Sequence, residues 1–256
     1  MIKTKALVLK YTNMNDNDRL FTVFCPEHGK ISAISKGIRS HKHKDFAALQ
    51  PFCYSELVID NSRGLGYISS AQILENFFEL RSGVEKMSLA AYVADLVSNL
   101  ADEIMYDDDF FRFTLNTLFM IAKAEDGSKL TLNDELVRLK TIYELKVICT
   151  SGYMPQLQSC MCCGSNKSLE YFDLYGGGAV CTSCHDKGFA PETCEVTDSA
   201  LKMMSYICHA DDKSVFKFSA SPETIDHAGK ISESYLINKL EIVSARLEYF
   251  KNIIKS

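Results

Sequence analysis

Four cysteines stand as Cys160-x2-Cys163-x17-Cys181-x2-Cys184, with Gly164 directly after the first pair. Two Cys-x2-Cys pairs at this separation have the spacing of a zinc ribbon. Cysteines three residues apart can wrap one ion if the backbone turns tightly after the second, and glycine tolerates that turn. Four thiolates fill a tetrahedral Zn²⁺ shell and leave no position for water or substrate. The chemistry expected is therefore one structural Zn²⁺ ion held by Cys160, Cys163, Cys181 and Cys184. Cys162, inside the first pair, and His185, after the second, are alternative ligands. A lone Cys-x2-Cys suits a redox site, but two of them flanking a hairpin do not. The ribbon carries little positive charge, since Lys167 and Lys187 face Glu170, Asp173 and Asp186. A structural staple is expected here, not a DNA-reading finger.

The second group with chemistry in it is cationic. Lys30, Lys36, Arg39, Lys42 and Lys44 fall in a stretch with no carboxylate between Glu27 and Asp45, and His41 and His43 sit among them. The net charge of −5 hides this patch. Residues 1–79 hold ten Lys/Arg against eight Asp/Glu, while residues 85–135 hold four against eleven. A polyanion meets the local potential, not the sum. On charge alone the stretch is equally well a solvated loop. Its place beside a strand favours a mobile cationic loop that tracks a phosphate backbone without reading sequence. Phe21, Phe24, Tyr54 and Tyr67 are candidate stacking surfaces, although alternation sends half of each strand inward and core is the commoner fate.

Catalysis finds little support. The chain has no Walker A phosphate loop, no GxGxxG opening a helix, no GxSxG and no HExxH. Asp16, Asp18 and the run Asp107-Asp108-Asp109 suit turns and helix caps. His41-x-His43 would be a weak, exposed metal site. A metallohydrolase needs an open metal position, which four thiolates do not leave.

These groups need a scaffold of α+β class. From Ile2 to about Asn76 the pattern is all-β: Lys3 to Tyr11, Leu20 to Cys25, Lys30 to Ser35, Phe52 to Asp60 and Gly66 to Leu74. Pro26-Glu27-His28-Gly29 signals a hairpin turn, and Asn61-Ser62-Arg63-Gly64 separates the last two strands. Five short strands in this span fit an OB-fold barrel, while an SH3-like barrel has the same strand count. Helical spacing follows from Ser82 to Met105, with Val93, Val97, Leu100 and Ile104 on one face, then from Phe110 to Ala124 and from Leu132 to Cys149. Gly152 and Pro155 close that block. Leu169 to Tyr175 and Gly176-Gly177-Gly178 give a hairpin between the cysteine pairs. Helices resume at about Thr197, and the last is expected from Gly229 to Ile254 as one amphipathic run through Leu236, Leu240, Val243, Leu247 and Phe250. The domains expected are a barrel over 1–79, a helical domain over 80–156 and 191–256, and a zinc ribbon over 157–190.

No apolar run is long enough to span a bilayer, and Met1 to Lys10 is too interrupted for a signal peptide. Cys25, Cys53, Cys149, Cys194 and Cys208 are scattered singly, which suits reduced, buried thiols in a cytosol.

In order along the chain, Ala6-Leu7-Val8-Leu9, Asn17-Asp18-Arg19-Leu20, Glu27-His28-Gly29-Lys30, Ser35-Lys36-Gly37-Ile38-Arg39 and Leu49-Gln50-Pro51-Phe52 resemble the start of the RecO family of bacterial recombination-mediator and DNA-repair proteins. The Cys-x2-Cys-Gly and Gly-Gly-x2-Cys-x2-Cys elements are similar to those of its zinc-bearing members. The resemblance implies an N-terminal OB-fold, a helical domain interrupted by the zinc segment, and no nucleotide hydrolysis. It also implies binding of single- and double-stranded DNA, annealing of complementary strands, and work with RecR to load RecA onto DNA coated by single-strand-binding protein. The acidic, hydrophobic tail of single-strand-binding protein is expected to dock on the helical domain, and the protein to work at the bacterial nucleoid in the cytoplasm. Carried over by position, Lys36, Arg39, Lys42 and Lys44 are the first candidates for phosphate contact, with Arg19 and Lys30 next. Family members often have more arginines in this loop; two histidines here imply binding that is weaker and depends on pH near neutrality. The rival reading is a protein–protein adaptor with a structural zinc ribbon and no intrinsic DNA binding.

Overall fold

The computed structural model describes residues 1–60, 66–100, 107–190 and 192–255. The chain divides into two compact units, Met1–Lys123 with Ser244–Ser256, and Ala124–Val243. The turn Asn61-Ser62-Arg63-Gly64 and the helical extension to Met105, with Ile104, lie outside the described residues.

In the first unit β1 (Ile2–Asn13), β2 (Arg19–Cys25), β3 (Gly29–Ser35), β4 (Tyr54–Asp60) and β5 (Gly66–Glu75) close into a barrel in the order β1-β2-β3-β5-β4. Period-two alternation explains it: Ala6, Val8, Phe21, Val23, Ala33, Leu57 and Ile59 point to one buried interior. The hairpin from β2 to β3 runs in register from Arg19↔Ser35 to Cys25↔Gly29. β3 meets β5 in parallel at Ala33↔Gly66 and Ile34↔Tyr67. That parallel pairing and this strand order separate an OB-fold from a meandering barrel with the same strand count.

The connection from β3 to β4 is folded, which corrects the expectation of a mobile loop. Ile38 and Leu49 are fully buried in the barrel core, and Phe46 packs against it. Turn bonds link Ser40 N–H to Gly37 O, His43 N–H to Ser40 O, Phe46 N–H to His43 O and Leu49 N–H to Asp45 O. Buried Asp45 accepts the Ala71 N–H at 3.2 Å. Exposing either aliphatic side chain would cost about 1.5–3 kcal/mol, so the segment is held as a plug.

The helices are α1 (Val84–Leu100), α2 (Asp108–Lys123), α3 (Leu132–Thr150), the short α4 (Thr182–Asp186), α5 (Asp198–His209), α6 (Pro222–Leu240) and α7 (Ala245–Ile254). Asp107 begins α2 as its residue type suggests, its Oδ1 accepting the N–H groups of Asp109 at 2.9 Å and Phe110 at 3.0 Å. Phe110 and Phe111 of α2 pack on Phe24, and Phe111 on Tyr54.

The run Gly229–Ile254 is two helices, not one. Glu241 turns left-handed at φ 53°, ending α6, and the Ser244 hydroxyl accepts the Arg246 and Leu247 N–H groups to start α7. Val243, placed on the expected apolar face, is 86% exposed. Leu247 and Phe250 are buried in the first unit, where α7 packs on α1.

In the second unit α3 and α6 cross closely at Gly229, where an added Cβ would lie 2.9 Å from Thr141 Oγ1. Beside that crossing Lys140 bridges Glu144 at 2.9 Å and Glu233 at 3.0 Å, and Ser232 Oγ donates to Glu144 at 2.7 Å. Burial pushes the Glu144 carboxyl up, against the pull of the Lys140 charge and the Ser232 bond. The ribbon sheet orders β7 (Gly178–Cys181), β6 (Leu169–Asp173) and β8 (Thr193–Glu195), with β6 central. Gly177, at φ +81°, seats the hairpin turn on the Tyr235 hydroxyl, where a side chain would collide.

Candidate nucleic-acid interface and metal centre

The two loops at one end of the barrel are stitched together. Asn15 Oδ1 accepts the N–H groups of Asn17 at 2.9 Å and Asp18 at 2.8 Å, closing the β1–β2 loop on itself. Asp18 Oδ1 then accepts the Gly37 N–H at 2.8 Å. Arg39 donates its backbone N–H to Asn17 O at 3.1 Å and Nη1 to Asn15 O at 2.8 Å. Lys36, Arg39, Lys42 and Lys44 are exposed on this end. Among the described residues no salt bridge engages any of these four.

Arg19 joins them, because its register partner is Ser35, the residue before Lys36. Its Nε donates to Asn13 Oδ1 at 3.1 Å, and its guanidinium carbon lies 4.0 Å from the Tyr11 ring centroid and 6.0 Å from that of Phe46. Lys36 Nζ stands 5.0 Å from the Tyr67 centroid. Lys30 lies apart. Six residues of strand, roughly 20 Å, separate it from Lys36. Its Nζ donates to Ser98 O of α1 at 3.0 Å.

Of the stacking candidates, Phe21 and Phe24 are buried, and Tyr54 is engaged by Phe111. Tyr67 stays half-buried beside Lys36. Tyr11 and Phe46 were not singled out by sequence, and His41 only for its place in the cationic stretch and in a weak metal pair with His43. Tyr11 ends the alternation of β1, and Phe46 opens the apolar run Phe46-Ala47-Ala48-Leu49 after the basic stretch, a signal that the segment turns inward there.

The metal centre is built from two knuckles. Cys160 N–H donates to Ser165 O at 2.7 Å and Gly164 N–H to Cys160 O at 2.8 Å, with Gly164 at φ +75° as the turn requires. The second pair runs from β7 into α4 and turns back at Gly188, φ +70°. The ligand atoms of Cys160, Cys163, Cys181 and Cys184 all lie within 4.8 Å of one another, and Cys163 Sγ is 3.7 Å from Cys181 Sγ. Tetrahedral zinc with bonds of ~2.3 Å sets its sulfurs about 3.8 Å apart, so the donor set fits. Burial opposes ionisation of Cys160, but N–H groups of Cys181, Cys162 and Cys163 bring its thiol down to about 6. Burial and the other three sulfurs push Cys184 up. Four thiolates side by side repel; a divalent cation removes that conflict. Cys162 is exposed and outside the cluster. The His185 ring stacks on Tyr171 at 3.7 Å and its Nδ1 meets Thr193 Oγ1 at 3.0 Å, so it serves the ribbon fold.

No helix among the described residues is long and apolar enough to cross a membrane. Residues 1–77 match the family model "Recombination protein O N terminal" and residues 81–246 match "Recombination protein O C terminal". The chain is 31% identical to the DNA repair protein RecO of Acetivibrio thermocellus, over 98% of this chain and 97% of that one. It is 30% identical to the RecO proteins of a Thermoanaerobacter species and of Alkaliphilus metalliredigens, over 99% of this chain in each case and 98% and 100% of theirs. The OB barrel falls within the first matched region and the four-cysteine cluster within the second, and on that full-length agreement the chain belongs to the RecO family of DNA repair and recombination proteins.

Proposed function

We propose that this chain is a non-enzymatic recombination mediator that binds DNA, anneals complementary strands and helps load a recombinase onto single-stranded DNA coated by single-strand-binding protein. The observation that carries the reading is one barrel end bearing Arg19, Lys36, Arg39, Lys42 and Lys44, the last four in no salt bridge among the described residues. Such a surface releases counterions from a phosphate backbone whatever the base sequence. Neutralising both strands lowers their repulsion, and base pairing supplies the specificity, so annealing needs no hydrolysis and no reacting group. Lys30 is the exception in the cationic set, its Nζ bonded to the Ser98 carbonyl of α1.

One Zn²⁺ is the ion we assign to Cys160, Cys163, Cys181 and Cys184: soft thiolates at tetrahedral spacing suit it, and the full shell makes its role structural. In this reading residues 1–79 hold single- and double-stranded DNA and the ribbon over 157–190 fixes its surroundings. Helical surfaces in 80–156 and 191–256 recruit a RecR-type mediator and the tail of single-strand-binding protein, at the nucleoid in the bacterial cytoplasm.

The test is annealing of complementary oligonucleotides followed by fluorescence quenching, without nucleotide, on bare and on coated strands. The reading expects faster annealing that stays nucleotide-independent. Annealing at the spontaneous rate, with the metal still bound, would return the chain to the adaptor class.

A further inference from the structure

Cys149 and Cys208 are far apart in sequence and meet in the second unit. Cys149 stands in the last turn of α3 and Cys208 in the last turn of α5, and these helices pack on each other. The two side chains are hydrogen-bonded sulfur to sulfur, and neither belongs to the four-cysteine cluster. Cys208 is 4% exposed while Cys149 is half-buried, so a small reagent meets Cys149 first. Lys146, one turn before Cys149, donates Nζ to the Ala210 carbonyl just past Cys208, so a cation ties the two helix ends beside the thiols. The Cys208 hydrogen bond, opposed by burial and helped by the Lys146 charge, brings the Cys149 thiol below its ordinary value. The same bond, then burial, push Cys208 up. A reachable thiolate beside a buried thiol is the arrangement of an attacking and a resolving cysteine.

We propose that Cys149 and Cys208 are a redox modification site, oxidised to a disulfide by a hydroperoxide. The Cys149 thiolate attacks one oxygen of hydrogen peroxide and the O–O bond breaks. Hydroxide leaves and takes up the proton that Cys149 released, giving water and a sulfenic acid on Cys149. The Cys208 sulfur then displaces the sulfenic hydroxyl, an S–S bond forms, and the Cys208 proton departs with that hydroxyl as a second water. Two electrons pass from the two sulfurs to the peroxide, and no other oxidant is needed. All four metal ligands lie between the two positions in sequence, so the new bond closes a covalent loop around the whole ribbon. A closed loop restricts the unfolded chain and holds the ends of α3 and α5 together.

The experiment treats the metal-loaded full chain with hydrogen peroxide, alkylates the remaining thiols and maps its peptides without reduction. A peptide linking Cys149 to Cys208 is expected, with the metal retained, and dithiothreitol should restore both thiols. Urea unfolding of the oxidised chain should move to a higher midpoint and return on reduction. Cys208→Ser should stop at the sulfenic acid, read as a dimedone adduct on Cys149, and Cys149→Ser should leave Cys208 reduced. The wild-type map decides the matter even where a variant fails to fold. Finding both thiols alkylated after a dose that oxidises the exposed Cys162 overturns the proposal. So does Cys149 carried past the sulfenic acid with Cys208 still free, or a link that forms only after the metal has left.

Discussion

The Asp18 carboxylate holds the two loops of the cationic end in one geometry, one oxygen accepting the Gly37 N–H at 2.8 Å and the other the Asn15 amide at 3.0 Å. The Asn15 bond, then the Gly37 N–H and the nearby Lys36 charge, hold its carboxyl below the usual carboxylate range. A carboxyl depressed on folding stabilises the folded state above its unfolded value, and that support is lost as pH falls through the folded value. Hydrogen exchange at the Gly37 amide should therefore stay slow from neutrality into mild acid and quicken only below the ordinary aspartate range. Asp18→Ala should lower protection at neutral pH and in mild acid and match the wild type once Asp18 is protonated; unchanged protection at neutrality would contradict the linkage. At the metal centre, native mass spectrometry should find one ion per chain, kept in Cys162→Ser and His185→Ala and lost in Cys163→Ser. Loss in Cys162→Ser would reassign a ligand.

Among elements, the break between α6 and α7 gives a test with opposite signs. Glu241 adopts φ 53°, a conformation that costs a side-chain-bearing residue about 1 kcal/mol or more. Glu241→Gly should raise stability by up to about 1 kcal/mol in urea unfolding. In one continuous helix the same change would lower it by about as much. In the ribbon, Gly177→Ala has no relaxed solution, with φ +81° and the Tyr235 hydroxyl in the way, and should cost about 1–3 kcal/mol. A neutral effect would mean that the hairpin turn does not sit on α6.

Across the whole molecule, what the sequence disclosed was periodic or fixed in spacing. Five strands followed from alternation in residues such as Ala6, Val8, Phe21 and Val23, and the cysteine cluster from two three-residue spacings and Gly164. What it concealed depends on a single backbone angle or on a long-range contact. The heptad-like run through Val243 continues unbroken in sequence, because a glutamate gives no sign that it will turn left-handed. Lys30 reads as one more cation until its bond to Ser98 O is seen. Ile38 and Leu49 are the residues that betray the basic segment as a plug; an isoleucine between Gly37 and Arg39 and the apolar run Phe46-Ala47-Ala48-Leu49 were the available signal. The central claim is that the exposed cations at this barrel end hold DNA through its phosphates. Its most direct test is the salt dependence of binding to an unstructured oligonucleotide, for the wild-type chain and for Lys36→Ala, Arg39→Ala, Lys42→Ala and Lys44→Ala combined. Steep wild-type dependence is expected, with a slope shallower by up to ~3–4 in the variant, one unit or slightly less per lost contact. An identical slope in both proteins would contradict it.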